Sequence, residues 1–120
     1  MNPFPSASIS GTAIVLAPGH FNPDRAKTAF GLVRGSERFH VLAVIDSKTA
    51  GQDAGDIVDN KKRDIPVFGS VNQALEKLEL RPQYAVIGIT TPGGILPDYL
   101  LLEIEQALEA GLDIVNGLHQ

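Results

Sequence analysis

The chain has 120 residues, of which 43% are hydrophobic and 20% charged. That is enough for one compact core, and the balance excludes a disordered, collagen-like or coiled-coil protein. Ten Lys and Arg against 14 Asp and Glu leave a formal charge of −4, which argues against nucleic-acid binding, and the absence of Cys excludes disulfides, thiolate nucleophiles and Cys-based zinc sites together. No apolar run approaches the ~20 residues that span a bilayer, and residues 1–11 lack the basic start of a signal peptide, so a cytoplasmic protein is expected.

Residues 1–10 (MNPFPSASIS) hold two Pro and three Ser and read as an irregular lead-in to a domain over 12–120. The run 12–17 is continuously apolar after Thr12, as in a strand covered on both faces, and predicts β1. A first helix is expected from Asn22-Pro23, with Asn as cap and Pro at the first helical position. Its apolar stripe is Ala26, Ala29, Phe30 and Val33, and Gly35 closes it. The run 39–45 (FHVLAVI) predicts β2, with His40 inside it in a structural role. Residues 47–64 then read as a long polar loop, a length that is usually functional.

The segment 65–68 contains Pro66 and suits a short edge strand, β3. Ser70-Val71-Asn72-Gln73 is a capping-box pattern opening a second helix that buries Val71, Ala74, Leu75 and Leu78. The run 84–89 (YAVIGI) predicts β4, and 113–117 predicts β5. Between them a third helix is expected over 98–110, ending at Gly111, with Leu100, Leu101, Ile104 and Leu108 facing inward. Asp98, Leu102, Glu105 and Glu109 form its outward stripe.

Strands alternating with helices require right-handed crossovers and hence a mainly parallel sheet. The expected architecture is α/β, a Rossmann-like three-layer fold with five strands in the order 3-2-1-4-5. No helix follows β5 to cover it, and residues 82–120 carry five acids and no Lys or Arg. Together with the outward Leu102, this leads us to expect a longer native chain or a partner that packs on this side.

In open parallel sheets, ligands bind beyond the carboxyl ends of the strands. The candidate ligand-binding residues are therefore Gly19 and His20 after β1, Asp46 after β2, and Gly51, Asp53 and Gly55 in the long loop. Thr91, Pro92, Gly93 and Gly94 follow β4, and Asn116 and His119 follow β5. The first turn lacks G-x-G-x-x-G, Pro23 removes a helix donor, and Asp24 puts a negative charge where a pyrophosphate would lie. NAD is thus disfavoured, although His20, Arg25 and Lys27 supply cations. Asp46 sits where an acid accepts hydrogen bonds from a ribose diol, or else caps its own turn. Lys61-Lys62-Arg63 is the one basic run and reads first as a solvated return into β3, otherwise as a phosphate contact. Pro92-Gly93 suits the centre of a type II turn, and its glycine N–H groups suit an anion nest. The second helix has donors at Asn72 and Gln73 that would make it the better backbone phosphate site. No nucleophile–base–orienter set is assembled, so catalytic residues are left unassigned. His20, Asp46 and His119 are too scattered for a metal site to be assigned.

Asp46, the run Ala50-Gly51-x-Asp53-Ala54-Gly55, Pro92-Gly93-Gly94-x-Leu96-Pro97 and Ala110 to His119 (AGLDIVNGLH) carry a resemblance. In matching order they resemble a bacterial and archaeal family with a Rossmann-like N-terminal domain followed by a P-loop domain. Most members bear only a domain-of-unknown-function name, and one branch is described as D-glutamate N-acetyltransferases. The stretch 66–71 (PVFGSV) is similar to CoA-binding domains of acyl-CoA synthetases, which also lack a strict dinucleotide fingerprint.

The resemblance implies the N-terminal domain of a two-domain enzyme that binds a small molecule, CoA or acetyl-CoA or a nucleotide, and whose P-loop domain lies outside this sequence. The sequence itself holds no G-x-x-x-x-G-K-[ST], so chemistry that needs a P-loop is not carried here, and the fragment alone is expected to be inactive. The competing reading is a non-catalytic domain that builds an oligomer or domain interface through the third helix and β5. A homo-oligomer is expected, without nucleic-acid or membrane partners.

Overall fold

The computed structural model describes residues 11–116, leaving the lead-in, Gly117 and His119 outside the described residues. Five strands form one parallel sheet in the order β3-β2-β1-β4-β5. They are β1 (Gly11–Leu16), β2 (Phe39–Ile45), β3 (Val67–Phe68), β4 (Tyr84–Ile87) and β5 (Asp113–Asn116). The α-helices are α1 (Lys27–Arg34), α2 (Ala54–Asp59), α3 (Val71–Lys77) and α4 (Asp98–Glu109). The α/β Rossmann-like architecture and strand order read from the sequence are those observed.

The alternation of side chains along the central strands separates two cores. Ile14 and Leu16 point to one face, where they pack with Ala43, Ile45, Val71, Leu100 and Ile104 beneath α3 and α4. Val15 points to the other, with Val44, Phe21, Phe30, Val33 and Ala54 beneath α1 and α2. Both faces being covered explains why β1 and β2 read as unbroken apolar runs rather than as alternating ones.

Three local expectations are corrected by tertiary contacts. The first helix does not begin at Asn22-Pro23. Asn22 Oδ1 accepts from the N–H of Asp24 and Arg25, at 3.1 and 3.0 Å, and closes a turn instead. The tip of β4 then claims the groups that a helical turn would use. Arg25 C=O accepts from Thr90 N–H at 2.9 Å, and Ala29 N–H donates to Gly88 C=O at 3.1 Å. The 29-to-25 helical bond is thereby replaced, Ala26 takes φ −120° and ψ 40°, and regular helix begins at Lys27. Gly88 permits this approach, since a Cβ there would lie 2.8 Å from Ala29 Cβ and 2.7 Å from Val15 Cγ1.

The long loop 47–64 is not structureless. Asp53 caps α2 through its side chain, and Asn60 ends that helix in the left-handed conformation, φ 61°. The segment before α2 also covers the sheet edge: Gly51 N–H bonds Val67 C=O at 2.9 Å, and Val67 N–H bonds Gln52 C=O at 3.0 Å. A short helix of six residues carries too little periodicity to be found in a polar stretch.

On α4 the buried residues are Leu100, Glu103, Ile104 and Ala107, so Leu101 and Leu108 are not inward as expected. The helix is rotated because Glu103 reaches α3, where its Oε1 accepts from Val71 N–H at 2.8 Å. Burial pushes the Glu103 carboxyl above its ordinary value, partly opposed by that hydrogen bond. The folded state therefore holds the proton more tightly than the unfolded chain. This contribution to stability is present below the ordinary carboxylate range and is lost as pH rises through the raised value. We expect Glu103→Gln, which keeps an acceptor for Val71, to be at least as stable as the parent at about pH 8 and to flatten this slope in urea unfolding followed from about pH 5 to 8. A slope that stays unchanged would assign it to another group.

Candidate functional site

The carboxyl edge of the sheet assembles the turns that follow each strand. After β1, Ala17 N–H continues the ladder to Ile45 C=O at 3.0 Å, and the chain then turns through Gly19 at φ 78°. The left-handed geometry there is one that glycine adopts without a Cβ penalty. Asp46 at the tip of β2 is 1% exposed and holds this turn in place. Its Oδ1 accepts from Gly19 N–H at 2.7 Å and from Lys48 N–H at 3.4 Å, and its Oδ2 from the Thr49 hydroxyl at 2.6 Å. Both oxygens are engaged within the protein, so Asp46 acts here as the tie between two neighbouring tips.

His20 projects from the same turn and lies against Tyr99 of α4, ring centroids 5.2 Å apart and planes tilted by 53°. Burial, then the like charges of Arg25 and Lys48, hold the imidazole below its ordinary value, against the opposing pull of Asp46. Arg25 Nη2 donates to Thr90 C=O at 3.1 Å, placing the guanidinium between the β1 and β4 tips. Among the described residues His20, Arg25 and Lys48 form no salt bridge, whereas Arg63 pairs bidentately with Asp59 at 2.6 and 3.0 Å and Lys62 lies 3.7 Å from Asp64. Lys62 and Arg63 of the basic run are thus ion-paired in the return into β3, and the strand tips that carry His20, Arg25 and Lys48, which the sequence separates, are brought to one edge instead.

The turn after β4 has the expected type II form. Gly94 N–H donates to Thr91 C=O at 3.2 Å, and Gly93 takes φ 66°, ψ 10° at the third position. Pro92 belongs to this turn, which with the exposed Ile95 and Leu96 leads into α4 at Asp98. Asn116 ends β5 on the same edge of the sheet.

The glycine-rich run in the long loop has a different role. Asp53 Oδ2 accepts from the N–H of Gly55 and Arg63, both at 2.9 Å, and Oδ1 accepts from Ile65 N–H at 2.8 Å. Burial raises its carboxyl, but these backbone donors outweigh it and hold the group below the ordinary range. Gly51 at φ 94° turns the chain into this arrangement. Gly51, Asp53 and Gly55 therefore stand apart from the β1–β4 crevice, on the far edge beside β3. A groove of 580 Å³ runs past Gly51, Gln52, Asp53 and Pro66, walled by Asp56, Lys62 and Asp64.

The expected free donors at the start of α3 are not free. Val71 N–H goes to Glu103, Asn72 N–H to Gln106 Oε1 at 3.0 Å, and Gln73 N–H to Ser70 Oγ at 3.1 Å. The Ser70 cap is as read, but the return bond of a capping box is displaced by one residue, since Gln73 Oε1 accepts from Gly69 N–H at 2.7 Å, and side chains of α4 fill what the sequence left open to a phosphate. Sequence reasoning also missed Lys48 and Tyr99 as partners of His20. An exposed Lys in a polar loop and a Tyr in an amphipathic helix carry no local signal of convergence. Among the described residues no group of three His, Asp or Glu could hold a metal ion. No helix among them is long and apolar enough to cross a membrane.

With this geometry in hand, the comparisons place the chain. A family model described as the DUF1611_N domain of unknown function, a Rossmann-like domain, matches residues 47–120. The chain belongs to the DUF1611_N family. A crystal structure of a DUF1611 family protein from Anabaena variabilis superposes on this DUF1611_N domain with a TM-score of 0.76 at 38% identity. The match covers 91% of this chain and 30% of that one, so the DUF1611_N chain here spans under a third of its longer relative. No curated protein matches it.

Proposed function

We propose that this DUF1611_N domain binds the anionic part of a nucleotide or of CoA or acetyl-CoA in the crevice between the β1 and β4 tips. In this reading it serves as the N-terminal domain of a larger two-domain enzyme whose other half is a P-loop domain. The observation that carries it is the meeting of the β1, β2 and β4 tips, where Gly19 and Lys48 share Asp46 Oδ1 next to His20 and Arg25 reaches Thr90, with neither Arg25 nor Lys48 in a salt bridge among the described residues, in a protein of net charge −4. Two cations, Arg25 and Lys48, beside an imidazole that can donate a hydrogen bond favour an anion at the topological switch point, and the Gly93-Gly94 turn leaves room for one to approach. The N–H groups of Asp24 and Arg25 go to Asn22 Oδ1, and Ala29 N–H in the first turn of α1 goes to Gly88 C=O, which removes donors that a dinucleotide pyrophosphate would use there and disfavours NAD. The enzyme class that fits the resembled branch is an amino-acid N-acetyltransferase acting on a D-glutamate-like substrate.

The test is a thermal-shift titration of this protein with CoA, acetyl-CoA and ATP. At a ligand concentration of about 100 times Kd, stabilisation reaches about 2.7 kcal/mol, a rise in Tm of about 10 °C. Lys48→Ala and Arg25→Ala should each weaken binding about tenfold, as expected for loss of a charge-assisted contact. No shift with any of the three ligands at millimolar concentration sinks the proposal.

A second reading is favoured by a separate observation. Leu101, Leu102 and Leu108 of α4 are all exposed, which suits a domain that contributes an interface rather than a ligand site. Ligand binding that survives Leu102→Lys while assembly is lost would show the two surfaces to be independent.

A further inference from the structure

Tyr99 lies in the first turn of α4, at the carboxyl edge of the sheet, and is 39% exposed. Among the described residues its ring meets one other, that of His20, with the planes inclined by 53°, and its hydroxyl makes no hydrogen bond. Rings tilted in this way are not stacked on each other, so His20 props the Tyr99 ring without occupying a whole face of it. Tyr84, the other tyrosine, instead packs edge-on against Phe39 at the start of β2.

His20 also ties this ring to the basic part of the crevice. Gly19, its neighbour in the chain, shares Asp46 Oδ1 with the N–H of Lys48. On its other side Asn22 N–H bonds His20 C=O at 2.9 Å, and Asn22 Oδ1 accepts from Arg25 N–H. The crevice therefore has two ends of different character. One carries Arg25 and Lys48. The other carries the Tyr99 ring beside Asp98, the acid that opens α4. A phosphate at the Tyr99 end would meet that acid, so the anion belongs at the basic end and an uncharged group at the aromatic one.

We infer that the crevice takes the adenosine phosphate common to ATP and CoA, with the phosphate on Arg25 and Lys48 and the base stacked on Tyr99. A purine is flat and uncharged at neutral pH and gains from a tyrosine face, whereas an aliphatic arm has no planar surface to match it. The inference rests on the anion reading above and adds the residue that tells one phosphate ligand from another.

The test compares AMP with ribose 5-phosphate, which keeps the phosphate and lacks the base, by calorimetric titration of this protein. AMP should bind at least about tenfold more tightly. Tyr99→Ala and Tyr99→Leu should each weaken AMP about tenfold and ribose 5-phosphate far less, while Tyr99→Phe should hold AMP within about twofold. The leucine variant keeps an apolar side chain without a flat face, which separates stacking from simple apolar contact. Tyr99 is exposed, so unchanged thermal melts will show that the variants fold. With two tyrosines in the chain, proton spectra read the contact directly: AMP should move the Tyr99 ring signals upfield and leave those of Tyr84 in place. ATP and CoA are titrated in the same way, and the tighter of them identifies the source of the adenosine phosphate. Equal binding of AMP and ribose 5-phosphate would overturn the inference and leave the anion reading intact. So would a preference for AMP, or binding of ATP or CoA, that Tyr99→Ala does not reduce. Binding of none of the four would remove both.

Discussion

Gly55→Ala will lower the stability of this domain by about 3 kcal/mol, a fall in Tm of about 10 °C or more. The position is helical, and at an open site in a helix the same change adds up to about 1 kcal/mol of stability. Here a Cβ would overlap the Lys61 carbonyl oxygen and lie 2.9 Å from both Arg63 Cγ and Asp53 Oδ2. None of these can step aside cheaply. Lys61 N–H bonds Gly55 C=O at 3.3 Å, and Asp53 Oδ2 is held by the N–H of Gly55 and Arg63. The methyl group must push the 60–63 return away from α2, and with it the entry into β3. Thermal melts of the two proteins decide the matter, because a Tm that holds or rises would mean that the return yields freely.

Asp53→Ala is expected to cost a similar amount, about 3 kcal/mol, by a different route. It removes the cap of α2, typically about 1 kcal/mol, and orphans the N–H groups of Arg63 and Ile65 in a partly buried site at about 1 kcal/mol or more each. Asp53→Asn retains one acceptor oxygen and should lose about half as much. The carboxyl is held below its ordinary value in the folded state. Its stabilisation is therefore full above the ordinary carboxylate range and disappears as pH falls through the lowered value. Urea unfolding at neutral and acidic pH checks this. The gap between parent and Asp53→Ala should shrink in acid, and a gap that stays constant would show that charge is not what holds the donors.

These two residues belong to the run Ala50 to Gly55, which reads in the sequence as a glycine turn made for a ligand. The residue types are right for that, and they are equally right for a side chain that gathers the backbone N–H groups of its own loop. Which of the two holds depends on residues 63 and 65 returning past Asp53, a contact ten and twelve positions away. Composition within six residues cannot encode it. The same limit applies to Ser70 to Gln73. The cap by Ser70 is local and is found as read, while the occupants of Val71 and Asn72 come from α4, 32 and 34 residues downstream.

The cation group at the switch point shows the reverse case. His20 stands out by its place at a strand tip, and Arg25 and Lys27 are named with it as cations, but Lys48 reads only as part of a loop. The parallel register of β1 with β2 and β4 carries those tips to one edge, and the bond from Arg25 to Thr90 turns the guanidinium toward the crevice.

The sequence by itself determined the elements whose signals are short in range. The apolar runs of β1, β2 and β4, the alternation of strand and helix, the cap at Ser70 and the type II turn at Pro92-Gly93 follow from side-chain period and backbone preference. Strand order also followed, because right-handed crossovers leave few ways to arrange such units. Only the tertiary structure decided where α1 begins, which way α4 is rotated, and whether each polar tip is spent or open. Those outcomes are competitions for individual donors and acceptors. A buried N–H must be satisfied by whichever partner the fold brings nearest, and that partner is set by packing across the sheet rather than by the neighbouring residues.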